Sequence, residues 1–148
     1  VTLFGQLLEV GLRGVLQSVP VTTEDPMARD SNDRVLRVVR GEDRTFRLTV
    51  FDEDDARQDL TGATITFRVK NLITDALAVI GLGVGTGITI LDQSDPTADT
   101  YGQADVVLAG DDTIALDPGV KVYEVRVTLA GLVSSVIQPA DFVLTREV

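Results

Sequence analysis

The sequence predicts an all-β domain, a two-sheet sandwich or small barrel of short strands, preceded by a partly helical arm. Three observations lead there. From Arg34 onward, apolar and polar residues alternate with a period of two. Turn-forming residues fall between the alternating runs. The apolar set is rich in Val, Leu, Ile and Thr-flanked positions, with one Met, no Trp and only five Phe and two Tyr, a bias that suits pleated surfaces. A length of 148 residues suits one domain with a proper core.

The strands read in order as Val35–Val39, Arg44–Phe51, Ala63–Lys70, Ala76–Ile80, Ile88–Leu91, Gly102–Leu108, Val120–Leu129 and Leu132–Leu144. In the third, Ala63, Ile65, Phe67 and Val69 face one way, and Thr64, Thr66, Arg68 and Lys70 the other. Tyr123, Val125, Val127 and Leu129 likewise oppose Glu124, Arg126 and Thr128. The inner faces are expected to be free of ionisable residues. Asp52–Asp55, Thr61-Gly62, the Gly81–Gly87 run, Asp117-Pro118-Gly119 and Ala130-Gly131 supply the reversals. Pro139 and Ala140 are expected to break the last strand. Asp111–Leu116 reads as one helical turn capped by Asp111 or Asp112.

Residues 1–33 read as an arm and linker, and residues 34–148 as the sandwich. In the arm, Leu3, Phe4, Leu7, Leu8, Leu12, Val15, Leu16 and Val19 recur at steps of three and four, an amphipathic helical spacing. Gly5, Gly11 and Gly14 each cost about 1 kcal/mol inside a helix, so the expectation is of partial helix. These eight apolar residues are the candidate partner-binding set: the arm orders on a neighbour, or it packs on its own domain. Pro20–Asp33 is polar, carries two prolines and reads as linker.

Composition excludes several function classes. The formal charge is −10, with 13 Lys and Arg against 23 Asp and Glu, which repels phosphate backbones and anionic membranes. No run of about 18 apolar residues exists to span a bilayer. The first residues lack a basic region followed by an apolar block and a small-residue cleavage site, so no signal peptide is expected. Without His or Cys there is no disulfide, no imidazole or thiolate zinc site and no His-based triad. Catalysis is left with carboxylates, Lys or Tyr, and a non-enzyme is expected, with no catalytic residue, cofactor, metal or small-molecule substrate.

Three motifs invite sharper readings. The run Gly81-Leu82-Gly83-Val84-Gly85-Thr86-Gly87 suggests a nucleotide loop, but no G-x-G-x-x-G register fits and a strand follows where a helix is needed. It reads as a hairpin connection. Asp52, Glu53, Asp54 and Asp55, with Asp59, could hold Ca²⁺, yet the EF-hand order is missing and a solvated turn is expected. Asp92, Asp95 and Asp99 read the same way. Two carboxylates across a cleft could hydrolyse glycosides, but these acids cluster at turns.

An ordered set of phrases covers roughly the last hundred residues. They are Arg40-Gly41-Glu42-Asp43, Leu48–Asp52, Asp59–Phe67, Gly87–Ile90, Val106–Leu108, Asp111–Leu116, Pro118-Gly119, Val122–Val127 and Phe142–Leu144. In this order they resemble a module of tailed-bacteriophage structural proteins, including the N-terminal domains of baseplate upper proteins. The resemblance implies an Ig-like antiparallel β-sandwich of about seven to nine strands. It also implies a virion role in tail, baseplate, neck or capsid surface, assembled in the host cytoplasm. The expected partners are other virion proteins and copies of the chain itself, with no nucleic acid and no membrane. The family shares no active site, so no functional residue carries over. A second reading, from another class, is a cell-surface carbohydrate- or Ca²⁺-binding adhesion module.

Overall fold

The computed structural model describes residues 12–19 and 35–146. Among them the chain is all-β, a single curled sheet whose inner face closes around one core. The strands are β1 (Arg13–Val19), β2 (Leu36–Val39), β3 (Arg44–Phe51), β4 (Thr64–Lys70), β5 (Ile80–Val84), β6 (Gly87–Ile90), β7 (Gln103–Leu108), β8 (Gly119–Leu129) and β9 (Leu132–Thr145). A four-residue helix, α1 (Gly110–Thr113), precedes β8. The sheet order is β1-β3-β7-β6-β5-β4-β8-β9-β2.

The alternation read from the sequence places the core. Phe46, Leu48 and Val50 of β3 are buried, as are Ile65, Phe67 and Val69 of β4 and Tyr123, Val125 and Val127 of β8. Burying such side chains contributes about 1.5–3 kcal/mol each, which is what holds the sheet curled over them. In the antiparallel pairing of β4 with β8, Val69 lies opposite Tyr123 and Phe67 opposite Val125. The diagonal neighbours Phe67 and Tyr123 stack with ring centroids 5.7 Å apart.

Five expectations need correction. Arg13–Val19 is not helical: it is β1, antiparallel to β3, with Leu16 opposite Leu48. Apolar residues at 12, 15 and 16 satisfy a strand with two covered faces as well as a helix, and the free edge of β3 decides between them. Leu12 and Leu16 pack on the core, and Gly14 is buried between them. A Cβ at Gly14 would stand 3.0 Å from Leu48 Cδ1 and 3.1 Å from Val136 Cγ2, so any larger residue presses on both neighbours. The sheet therefore starts at Arg13, ahead of the boundary drawn at residue 34. The remainder of the expected helix, Val1–Gly11, and the linker Pro20–Asp33 lie outside the described residues.

The strand expected at Ala76–Ile80 is displaced to Ile80–Val84. Ala76, Leu77 and Ala78 are exposed, and Gly81 and Gly83, poor strand formers, pair with Arg68 and Thr66. The tertiary ladder overrides local propensity. Residues 81–84 of the Gly-rich run thus belong to β5 and Gly87 to β6, with only Gly85 and Thr86 between them and Gly85 and Gly87 at positive φ.

The last strand is not split at Pro139. β9 runs through to Thr145, and its register against β8 shifts between Tyr123 and Val125 and again between Val125 and Arg126. Gln138 and Pro139 together oppose Glu124, a bulge that accommodates the missing N–H of proline. The second shift leaves Val136 without a partner and turns it inward next to Ile137, so two consecutive residues are buried. Val136 then meets Gly14, closing the curl between β9 and β1.

Helix α1 is capped by neither Asp111 nor Asp112: Ala109 is the N-cap. Asp112 instead reaches back from the third helical position and accepts the Ala109 N–H at 2.9 Å. Asp43 accepts the Gly110 N–H at 2.6 Å. Finally, one ionisable residue does sit on an inner face. Lys121, two residues before Tyr123, is 6% exposed, and its ammonium donates to Asn71 Oδ1 at 2.8 Å. Its stem covers the end of the core while its head reaches a polar partner.

Two substitutions test this arrangement. Gly14→Val forces its side chain into Leu48 and Val136 and should lower unfolding free energy by about 1–3 kcal/mol in urea denaturation. An unchanged midpoint would remove β1 from the sheet. Ala130 holds φ at 51° in the two-residue turn between β8 and β9, ahead of Gly131 at 82°. Ala130→Asn gives that turn its preferred Asn-Gly pair and should raise stability by about 0.5–1 kcal/mol.

Candidate interaction site

Two acidic loops gather at one end of the molecule. Residues 52–63 join β3 to β4, and residues 91–102 join β6 to β7. They share an end because Thr49 of β3 lies opposite Gln103 of β7. Two side chains lock them together. The Arg57 guanidinium donates to the carbonyls of Asp99 at 2.8 Å and Tyr101 at 2.9 Å. Gln93 Oε1 accepts the N–H groups of Leu60 at 3.0 Å and Gly102 at 2.9 Å.

Four carboxylates of these loops serve their own turns. Asp52 Oδ1 accepts the N–H groups of Asp54 and Ala56 at 2.9 and 3.0 Å. Asp59 accepts both the hydroxyl and the N–H of Thr61, at 2.7 and 2.9 Å. Asp92 accepts the Ser94 N–H, and Asp95 accepts both groups of Thr97. Bonds to the charged form favour it, so Asp59, Asp92 and Asp95 lie below the ordinary carboxylate value. For Asp59 the hydroxyl contributes most, whereas for Asp92 and Asp95 the backbone N–H does. Among the described residues, no three acids converge as a metal site would require. Asp55 is paired with Arg13 at 3.0 Å, whose guanidinium also lies over the Phe51 ring.

The outer face of the sheet carries a different feature, a groove of about 200 Å³. It is lined by Arg68 and Lys70 from β4, Val122, Glu124 and Arg126 from β8, Pro139 at the β9 bulge, and Ile73 beyond β4. The β4–β8 register sets this arrangement: Lys70 lies opposite Val122, Arg68 opposite Glu124 and Thr66 opposite Arg126. Arg126 reaches Glu124 at 3.4 Å, leaving three cations against one acid. On the β5 side, Gly81 lies beside Arg68 with open space where a Cβ would stand. The bulge adds local twist at Pro139, which lines the groove. Leu72, Ile73 and Leu77 in the segment after β4 are 63%, 61% and 83% exposed, so apolar surface borders the charges.

The described members of the candidate set from the sequence lie away from this groove. Leu12 and Leu16 pack on the chain's own core, Val15 is half-buried, and Val19 is the last residue of β1, opposite Thr45. Leu3, Phe4, Leu7 and Leu8 lie outside the described residues. The groove residues were missed as a set. Arg68, Lys70 and Arg126 were each legible as outward-facing, but nothing local says that β4 and β8 are neighbours.

No family model matches the chain. No curated protein matches it either. Among solved structures it is similar to AggA, the major subunit of aggregative adherence fimbriae type I from Escherichia coli. The identity is 12%, the match covers 92% of this chain and 95% of that one, and the TM-score is 0.32. A likeness that loose carries no argument about function. What fold and site define is an all-β domain with acidic loops at one end and a basic groove on an outer face.

The turn carboxylates give a pH prediction. Each lowered Asp adds stability that is fully present above the unfolded value of about 3.9 and is lost as pH falls through the lower folded value. Carboxyl carbon NMR should place Asp59, Asp92 and Asp95 below that value. Thr61→Val should move Asp59 up and Thr97→Val should move Asp95 up, since each removes a hydroxyl that donates to the charged carboxylate. No upward movement in either variant would defeat this account.

Proposed function

We propose that this chain is a structural protein of a tailed-phage virion, an assembly or attachment module built on an Ig-like β-sandwich. In that reading β1, β3, β7 and β6 form one layer, and β5, β4, β8, β9 and β2 the other. The observation that carries it is the ordered set of phrases from Arg40 to Leu144. They fall on successive strand starts and turns of a single sheet, from the turn before β3 to the end of β9. Asp59–Phe67 enters β4, Asp111–Leu116 covers most of α1, and Val122–Val127 runs through β8.

The partners are other virion proteins and further copies of the chain, and its location is the assembled particle. The segment ahead of β1 keeps its part in this proposal. With Leu12 and Leu16 committed to the chain's own core, the docking role falls to Leu3, Phe4, Leu7 and Leu8.

Mass spectrometry of purified particles is expected to find the chain at a fixed ratio to the other structural proteins. Its absence from particles would overturn the proposal. A chain lacking Val1–Gly11 retains β1 and should stay folded by circular dichroism while incorporating about tenfold less, and full incorporation would remove the arm's role.

A further inference from the structure

The groove stands out against the charge of the molecule. With Arg68, Lys70, Arg126 and Glu124 set aside, ten Lys and Arg stand against 22 Asp and Glu, a formal charge of −12. A basic, partly apolar groove in such a molecule is complementary to the surface of the same protein.

The acidic end supplies the matching feature. Residues 52–59 and 92–99 carry eight carboxylates, held as one unit by Arg57 and Gln93. Asp52, Asp59, Asp92 and Asp95 are engaged in their own turns, and Asp55 is paired with Arg13. Glu53 and Asp54, at the tip, are exposed, and among the described residues neither carboxylate makes a hydrogen bond or ion pair. The turn between β8 and β9 comes to this end as well, because Thr128 lies opposite Thr64. It adds exposed Leu132 and Val133. Acids beside apolar side chains at one end thus answer cations beside Ile73 at the groove, with Leu72 and Leu77 exposed in the same segment.

A chain cannot satisfy this match by itself. β4 leaves the acidic end at Thr64 and reaches the groove at Arg68 and Lys70, a span of about 20 Å along a rigid, paired strand. The contact has to form between molecules.

We propose that the groove between β4 and β8 receives the acidic end of a second copy of this chain, in a head-to-side contact. The two surfaces differ, so the interface is heterologous, and repeated addition gives a ring if the rotation closes and a filament if it does not. Exposed ion pairs are individually weak and screened by salt. The contact is therefore salt-sensitive, and the bordering apolar residues supply the rest of its strength. The inference rests on the reading of the chain as an assembly module and names the surfaces by which copies meet.

Sedimentation velocity of the full chain tests it. In about 50 mM salt, species heavier than the monomer should grow with concentration, and they should dissociate in about 500 mM salt. Arg126→Glu with Lys70→Glu, and separately Glu53→Lys with Asp54→Lys, should each weaken self-association about tenfold or more, since like charges then face each other. All four positions are on the surface, and circular dichroism checks each fold. Mixing the two variants should restore heavier species that contain both in equal proportion, since each surface then meets its opposite charge. A wild-type chain that stays monomeric at low salt overturns the proposal, even if the groove binds a poly-glutamate peptide, because the occupant is then another acidic protein. Failure of the mixed variants to pair overturns it too. Particle incorporation of the same variants reads the virion role separately, so the two ideas can fail independently.

Discussion

The antiparallel pairing of β4 with β8 sets Ile65, Phe67 and Val69 against Val127, Val125 and Tyr123 on one face, and Thr66, Arg68 and Lys70 against Arg126, Glu124 and Val122 on the other. The dry face is the middle of the core, where Phe67 stacks on Tyr123. The wet face is the floor of the groove. Because side chains alternate with a strict period of two, one register decides both. A slip of β4 by a single residue would bury Arg68 and Lys70 and expose Phe67. The core thus enforces the geometry of the surface, and the charge arrangement comes as a consequence of packing.

Curvature depends on two irregularities that the same sheet tolerates. The shifts in β9 place Gln138 and Pro139 opposite Glu124 and turn Val136 inward beside Ile137. Val136 can meet β1 only because Gly14 has no side chain to hold it off. In the middle of the sheet, Gly87 at φ 107° opens β6 beside β5, and a Cβ there would stand 2.9 Å from Leu82 Cδ2. Glycine and proline, which weaken regular strands, here allow the sheet to close. The loops are tied with polar bonds instead, through Arg57, Gln93 and the Asp side chains that bridge their own turns.

Much of the fold was legible in the residues. Strands with clean alternation, β3, β4, β7 and β8, sit within a residue or so of their expected positions, since hydrophobic burial acts on a pattern that is local. Reading failed where local preference and tertiary pairing disagree. Leu12, Val15 and Leu16 satisfied two periods at once, and the edge of β3 chose the strand. Gly81 and Gly83 looked like loop, and the ladder to β4 made them strand. Lys121 shares the inward parity of Tyr123, a detail visible in the alternation, but that its head would reach Asn71 was not.

The candidate site divides along the same line. Charge, the absence of His and Cys, the alternating faces and the acidic turns are properties of composition and short-range spacing, and the sequence alone determined them. That Arg68, Lys70 and Arg126 share one groove, and that the two acidic loops share one end, was decided by pairings between segments far apart in the chain. Partner choice among strands is set by how all the apolar faces fit around a common core. No single segment carries that information, so only the folded molecule shows it.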